Sequence, residues 1–308
     1  MRRRTIVPSL ASLLLLAAAC TGPTAGAPAP KAAEKLDLKV GGAFGARPTI
    51  VFPAGRPAAD LQVDELTTGG GDRLGDDDVA VVQYTAHVWD GRDNRLVDSS
   101  FNRGAPAAFP VGSLLPGLGR ALRGRTVGSR VLAAVPPDQG FGATPPRGVG
   151  PADDLVYVVD ILGAHRKGAS VEAAGGSLAG VRVTGGERPK VSIPAAAPPR
   201  AFAAKVLRRG SGGPARAGQL LVTQYEGAIW ARRAVFDATW STGLPKAFRI
   251  GDGTVIKAWD KALVGVPVGS RVLMVVPPAY GYGAPGHPAY GIKGSDTLVF
   301  VVDVLAAY

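Results

Sequence analysis

A chain of 308 residues with 46% hydrophobic, 19% charged and 6% aromatic side chains is neither a disordered polyampholyte nor a polytopic membrane protein. Glycine and proline make up 69 of the 308 residues, which excludes an all-helical bundle and favours turn-rich β structure in about two domains. The charge is +11, from 35 Lys and Arg against 24 Asp and Glu. With no basic run interleaved with aromatics, that excess points to a secreted protein near an anionic envelope and away from nucleic acid.

Residues 1–19 combine a positive start (Arg2, Arg3, Arg4) with an apolar stretch too short to span a bilayer, the pattern of a secretory signal. Its removal leaves 32 basic against 24 acidic residues. The stretch ends in LLAAAC at Cys20, the one cysteine of the chain. This resembles the lipobox of bacterial lipoproteins, which implies lipidation at Cys20 and an extracytoplasmic, membrane-anchored protein. An ordinary signal peptide with small residues at Ala17 and Ala19 is the alternative. A single cysteine allows no intramolecular disulfide, so packed cores must supply the stability. Residues 20–37, rich in Ala, Pro, Thr and Gly at their start, are expected to form a flexible tether.

Downstream the chain repeats itself. ARPTIVFP (46–53) matches ERPKVSIP (187–194), VVQYTA (81–86) matches VTQYEG (222–227), and VGSRVL (127–132) recurs unchanged at 268–273, all at an offset of 141. LVYVVDIL (155–162) matches LVFVVDVL (298–305) at an offset of 143. A period this long is a whole domain, giving units at 38–164 and 180–308 with residues 165–179 as linker. In each copy, β-branched runs such as VAVVQYTAHV (79–88) and SRVLAAV (129–135), punctuated by Gly, Pro and Asp, predict antiparallel strands. The segments 49–52 and 190–193 are expected to pair with the sheet of their own unit. In VIKAWDKAL (255–263) and LLPGLGRAL (114–122), apolar residues recur at three and four, one face of a short helix, with Pro116 in a first turn. The expected fold is α+β: two tandem units, each a twisted antiparallel sheet wrapped around one short helix.

The ordered series VTQYEG, VFD, VIKAWDKAL, VGSRVLMVVPPAYGYGAPGHP and DTLVFVVDVL resembles an FKBP-type peptidyl-prolyl cis-trans isomerase domain over residues 220–305, and the first copy resembles it over 79–162 with more substitutions. The resemblance implies an aromatic pocket in the second copy. Trp259 would be its floor, Tyr225, Phe236 and Phe300 its walls, Val255 and Ile292 further lining, and His287 part of a flap loop. It also implies that the Ile256 amide and the Tyr282 hydroxyl donate to substrate carbonyls, while Asp237 and Tyr225 polarise the wall near the imide. Where the family often carries another wall aromatic after a proline, Lys246 follows Pro245. In the first copy, Tyr84, Asp98, Leu115 and Tyr157 hold matching positions. There Val97 replaces the wall phenylalanine, Leu118 the tryptophan and Phe141 the tyrosine, so that copy is expected to be a weak or binding-only module.

The implied chemistry needs no nucleophile, metal or cofactor. His87, His165 and His287 lie in different segments, and the Gly-rich stretches TTGGGD and GSGG lack the lysine and helix start of a phosphate loop. The expected partners are proline-containing unfolded or secreted proteins and, through the lipid, a membrane. The chain is expected to be a monomer. The rival expectation is a non-catalytic, chaperone-like pair of modules on the cell surface, and a third is a β-rich substrate-binding lipoprotein without proline chemistry.

Overall fold

The computed structural model describes residues 36–91 and 94–308. The signal segment, Cys20 and residues 20–35 of the expected tether lie outside them. The chain divides after Ala164 into two units. The first contains β1 (Lys39–Gly41), β2 (Thr49–Val51), β3 (Gln62–Thr67), β4 (Val79–Trp89), β5 (Leu96–Ser99), β6 (Ala107–Pro110), α1 (Pro116–Leu122), β7 (Arg130–Val135) and β8 (Asp154–His165). Its main sheet runs β3-β7-β8-β4-β5, with β6 also pairing β4, while β1 and β2 form a separate antiparallel pair. The second unit repeats the plan. β9 (Gly176–Leu178), β10 (Val181–Thr184) and β11 (Lys190–Ser192) make a small sheet, followed by β12 (Ala203–Arg208), β13 (Leu220–Ile229), β14 (Ala234–Ala238), β15 (Lys246–Arg249), α2 (Lys257–Leu263), β16 (Arg271–Val276) and β17 (Leu298–Ala307). These last strands order as β12-β16-β17-β13-β14, with β15 on β13. The α+β class and the tandem repeat are therefore present.

Each main sheet buries both faces. Strand β16, RVLMVV, has no exposed residue, because alternate side chains serve two different cores. In the second unit one core lies between sheet and helix, with Leu263, Val272, Met274 and Val302 around Trp259. The other lies on the opposite face, where Leu273, Val275, Val299 and Val301 pack against Val181 and Val183 of the small sheet. The first unit matches it with Leu132, Ala134, Val156 and Val158 under Leu36, Leu38, Val40 and Ile50. Segments 49–52 and 190–193 thus do not pair with the main sheet as expected. They hydrogen-bond to β1 and β10 and lie across the sheet face as a second layer. The apolar outer face of the main sheet needs cover, and face-on packing buries far more of it than an added edge strand would.

Two buried ion pairs fasten these layers. Arg271 and Asp303 are both fully buried (0% exposed) and paired at 2.6 Å. Arg271 also donates to the carbonyls of Ala174, Gly186 and Glu187, and Asp303 accepts from the Ser170 hydroxyl and the Val171 amide. In the first unit, Arg130 pairs with Asp160 at 2.6 Å and donates to the carbonyls of Gly42 and Ala46. Two boundaries change as a result. Residues 165–179, expected as a linker, belong to the second unit: Val171 is buried and 176–178 is a strand. Leu36, at the end of the expected tether, is buried on the first sheet. The Gly-rich connections have a steric cause of their own. A Cβ on Gly210 would lie 2.1 Å from the Val268 carbonyl oxygen, as one on Gly69 would from Val127.

The first unit carries an acid-sensitive group at the start of β8. Burial pushes the Asp154 carboxyl up to about 6, against the pull of Arg56 and with the help of neighbouring Asp153. A folded-state pKa above the unfolded one stabilises the protonated form, so this contribution is full below about 4 and disappears as pH rises through 6. Stability of the first unit should therefore fall between pH 4 and 6.5. Asp154→Asn should flatten that part of the profile in urea unfolding followed against pH.

Candidate functional site

The site of the second unit lies between the concave face of the sheet and α2. Val255 and Ile256 stand just before the helix, Ile256 being its N-cap with ψ 147°. Trp259, one turn in, points at the sheet and is buried. Its ring meets three others edge-on, with centroids at 5.3 Å to Tyr225, 5.2 Å to Phe248 and 5.8 Å to Phe300. Phe236 stands upright against Phe300 at 5.7 Å. Such crossed rings hold one another's edges against faces, a preferred arrangement that fixes the shape of an apolar slot. Gly227 makes the crossing possible: a Cβ there would lie 2.6 Å from the Phe236 ring and 2.8 Å from Phe300.

Polar groups gather on two sides. Tyr225 donates its hydroxyl to Asp237, and burial, with that carboxylate adding to it, raises the phenol so that it stays protonated. Lys246 Nζ lies 3.4 Å from both Asp237 oxygens and from the Tyr225 hydroxyl. On the other side a loop closes through reciprocal backbone bonds between His287 and Ile292. His287 is packed between Tyr282, at 5.0 Å, and Tyr290, at 4.7 Å. Tyr290 in turn meets Phe236 edge-on at 5.8 Å. The Tyr282 hydroxyl, raised by burial and then by Tyr290 and Asp237, has no hydrogen-bond partner among the described residues. The Ile256 amide, at the open end of α2, has no acceptor among the main-chain bonds of the described residues. Helix N-termini leave such donors unpaired by construction.

All ten positions expected in the second copy come to this one slot. Phe248 and Tyr290 were not anticipated. Phe248 had a signal, since Phe109 stands opposite Ala80 in the register that Phe248 shares with Leu221, so both copies carry it.

The first unit builds the same frame with different side chains. Tyr84 donates to Asp98, Tyr84 and Phe109 cross at 6.0 Å, and Leu115 caps α1. Leu118 stands where Trp259 does, and with Tyr84, Phe109 and Tyr157 it encloses a cavity of about 10 Å³, room for at most one water. Arg103 donates to Asp98 and to the Tyr84 hydroxyl and lies 5.3 Å over the Tyr84 ring. Ala86 takes the place of Gly227, a substitution that Val97 permits by being smaller than Phe236. Phe141 is half-buried against this core with no hydroxyl to offer. Among the described residues no cluster of His, Cys, Asp or Glu is arranged to hold a metal.

The model of the FKBP-type peptidyl-prolyl cis-trans isomerase family matches residues 71–162 and again 212–305. The chain belongs to this family. An "FK506-binding protein" of Streptomyces anulatus is 37% identical over 120 residues, covering 39% of this chain and 97% of that protein. The mouse "Peptidyl-prolyl cis-trans isomerase FKBP9" is 29% identical over 232 residues, covering 74% of this chain and 35% of its own. Most of the other curated relatives are spanned over less than two thirds of their length, for instance 23% for the nuclear FK506-binding protein of Spodoptera frugiperda. The crystal structure of the three FKBP domains of wheat FKBP73 aligns over 80% of this chain and 94% of that one, at 22% identity and a TM-score of 0.33. In this tandem FKBP-type isomerase the slot described above falls within the second matched segment, and its counterpart in the first unit falls within the first.

Proposed function

We propose that catalysis resides in the second unit, which accelerates X-Pro rotation in proline-containing proteins outside the cytoplasm, and that the first unit binds polypeptide without turning it over. The observation that carries the assignment is the contrast between the slots. Phe236, Tyr282, Val255 and Ile256 stay half-exposed around Trp259, whereas in the first unit Leu114 and Leu115 are buried before α1, Arg103 donates to the Tyr84 hydroxyl and Phe141 has no hydroxyl to offer. Anchoring at Cys20 follows from the sequence pattern of the N-terminus.

The uncatalysed barrier, about 18–20 kcal/mol, comes from amide resonance. A twisted imide has lost that resonance and carries less charge on its carbonyl, so an apolar slot around the prolyl ring favours it over the planar form. Raising a rate of about 0.01 per second to about 100 per second requires some 5–6 kcal/mol of such preference. Trp259 and the crossed rings supply the apolar surface, and the Ile256 amide and Tyr282 hydroxyl are donors free to hold the flanking chain in the twisted geometry.

The test is isomerisation of X-Pro peptides by the full chain, compared with Tyr282→Phe, which installs what the first unit has at Phe141. Losing one hydrogen bond made in the transition state, about 1–1.5 kcal/mol, should lower kcat/KM about tenfold. Activity unchanged in this variant and in the pocket-floor variant discussed below would place catalysis in the first unit and end the assignment.

A further inference from the structure

The two units differ in charge far more than in fold. Within residues 165–308 there are 18 Lys and Arg against 8 Asp and Glu, a net +10, whereas residues 36–164 carry 12 against 15, a net −3. The acids of the second unit are also largely engaged. Asp303 is paired with Arg271, Asp296 with Arg232, Asp252 with Arg249 and Glu172 with Arg208. Asp260 accepts from the amides of Gly251 and Gly253. The second unit therefore presents a strongly positive surface with few anions left to answer it.

One of the cations stands at the slot. Lys246 is half-exposed, and its contacts with Asp237 and Tyr225 are long, at 3.4 Å. Asp237 is the carboxylate it faces there, and that carboxylate already accepts the Tyr225 hydroxyl. An ammonium has three donors and is held here by no short bond, so it can turn toward a second anion without losing Asp237. Lys257 and Lys293, both exposed, follow Ile256 and Ile292 directly, on the helix side and the flap side of the same opening. Arg249 is answered by Asp252, and His287 is enclosed by Tyr282 and Tyr290. The first unit places a cation on its Tyr–Asp pair too, but Arg103 comes from the turn after β5 and donates to Asp98 and the Tyr84 hydroxyl.

We propose that Lys246, with Lys257 and Lys293 at the rim, makes the second unit select X-Pro segments carrying an acidic residue beside the proline. The inference rests on the assignment of the slot to X-Pro segments and specifies which of them it prefers. An exposed ion pair is worth roughly 0.2–1 kcal/mol, up to about fivefold in affinity, and a surface of net +10 adds long-range attraction at low salt.

The experiment compares Glu-Pro, Ala-Pro and Lys-Pro peptides with the full chain, measuring both isomerisation and equilibrium binding of the same labelled peptides. At low ionic strength kcat/KM for Glu-Pro should exceed that for Lys-Pro by about tenfold, mostly through KM. In 1 M salt, where the screening length is about 3 Å, the ratio should fall below about twofold. Lys246→Glu should bring the ratio to one or below it, and Lys257→Gln with Lys293→Gln should reduce its salt dependence. Equal turnover of the three peptides at low salt would overturn the proposal while leaving the isomerase assignment standing. Tighter binding of Glu-Pro that depends on Lys246, with no turnover of any peptide, would support the selection and remove the assignment of catalysis. A preference that survives Lys246→Glu and 1 M salt would overturn the ionic account.

Discussion

Asp303→Ala should lower the stability of the second unit by about 3–5 kcal/mol, the range found when one partner of a buried ion pair is removed. The reason is the position of Arg271, which has no exposed surface and would be left as an uncompensated charge between two cores. The Val171 amide would lose its acceptor as well. Urea unfolding of the full chain should then show the transition of the second unit moved well below its wild-type midpoint, with the first unit serving as internal reference. The double change Arg271→Met with Asp303→Leu should recover only part of the loss. It removes the stranded charge, but it also strips the carbonyls of Ala174 and Gly186 of their arginine donor. Full recovery would mean that the pair does not fasten the small sheet.

The second large effect is expected at the pocket floor. Trp259→Leu should lower kcat/KM of the full chain about 100-fold, or about 2.7 kcal/mol. Trp259 is the ring that Tyr225, Phe248 and Phe300 all face, so the smaller side chain removes the floor and frees three walls. Folding should survive, because Leu118 occupies this position in the first unit with its core intact. A circular dichroism spectrum like that of the wild type, beside the loss of rate, separates a missing floor from a missing fold. Retention of more than half the activity would move catalysis out of this slot.

Much of the architecture was legible because the repeat is so regular. The identical VGSRVL at 127–132 and 268–273 fixed the register of the copies, and the spacing of Trp259 and Leu263 marked the helix. The helix begins two residues later than its apolar pattern, at Lys257, since Val255 and Ile256 are apolar for the sake of the slot. The second layer was missed for a related reason. Runs such as SRVLAAV are apolar at consecutive positions, the mark of a strand buried on both faces, but nothing local says what covers the second face. The arginine inside each VGSRVL and the aspartate inside each VVD were the clue, since a charge in a fully apolar run needs a partner. Phe248 and Tyr290 escaped notice because a slot made of crossed rings depends on which strand lies opposite which, a relation that no single segment carries.

The small sheets also bear on how this protein comes into being. Strands β10 and β11 are synthesised before the strands they cover, and Val181 must wait for Val301, about 120 residues later in the chain. Contacts that distant close slowly and leave apolar strands open meanwhile. Each unit therefore emerges cover first, with a period during which the cover has nothing to lie on. A fragment cut at the family-model boundary, residues 212–305, would make that period permanent. It would carry Leu273, Val275, Val299 and Val301 as an open apolar face, and such a face drives aggregation. The shortest piece of the second unit that keeps its cover begins near residue 165, well before the region that defines its family.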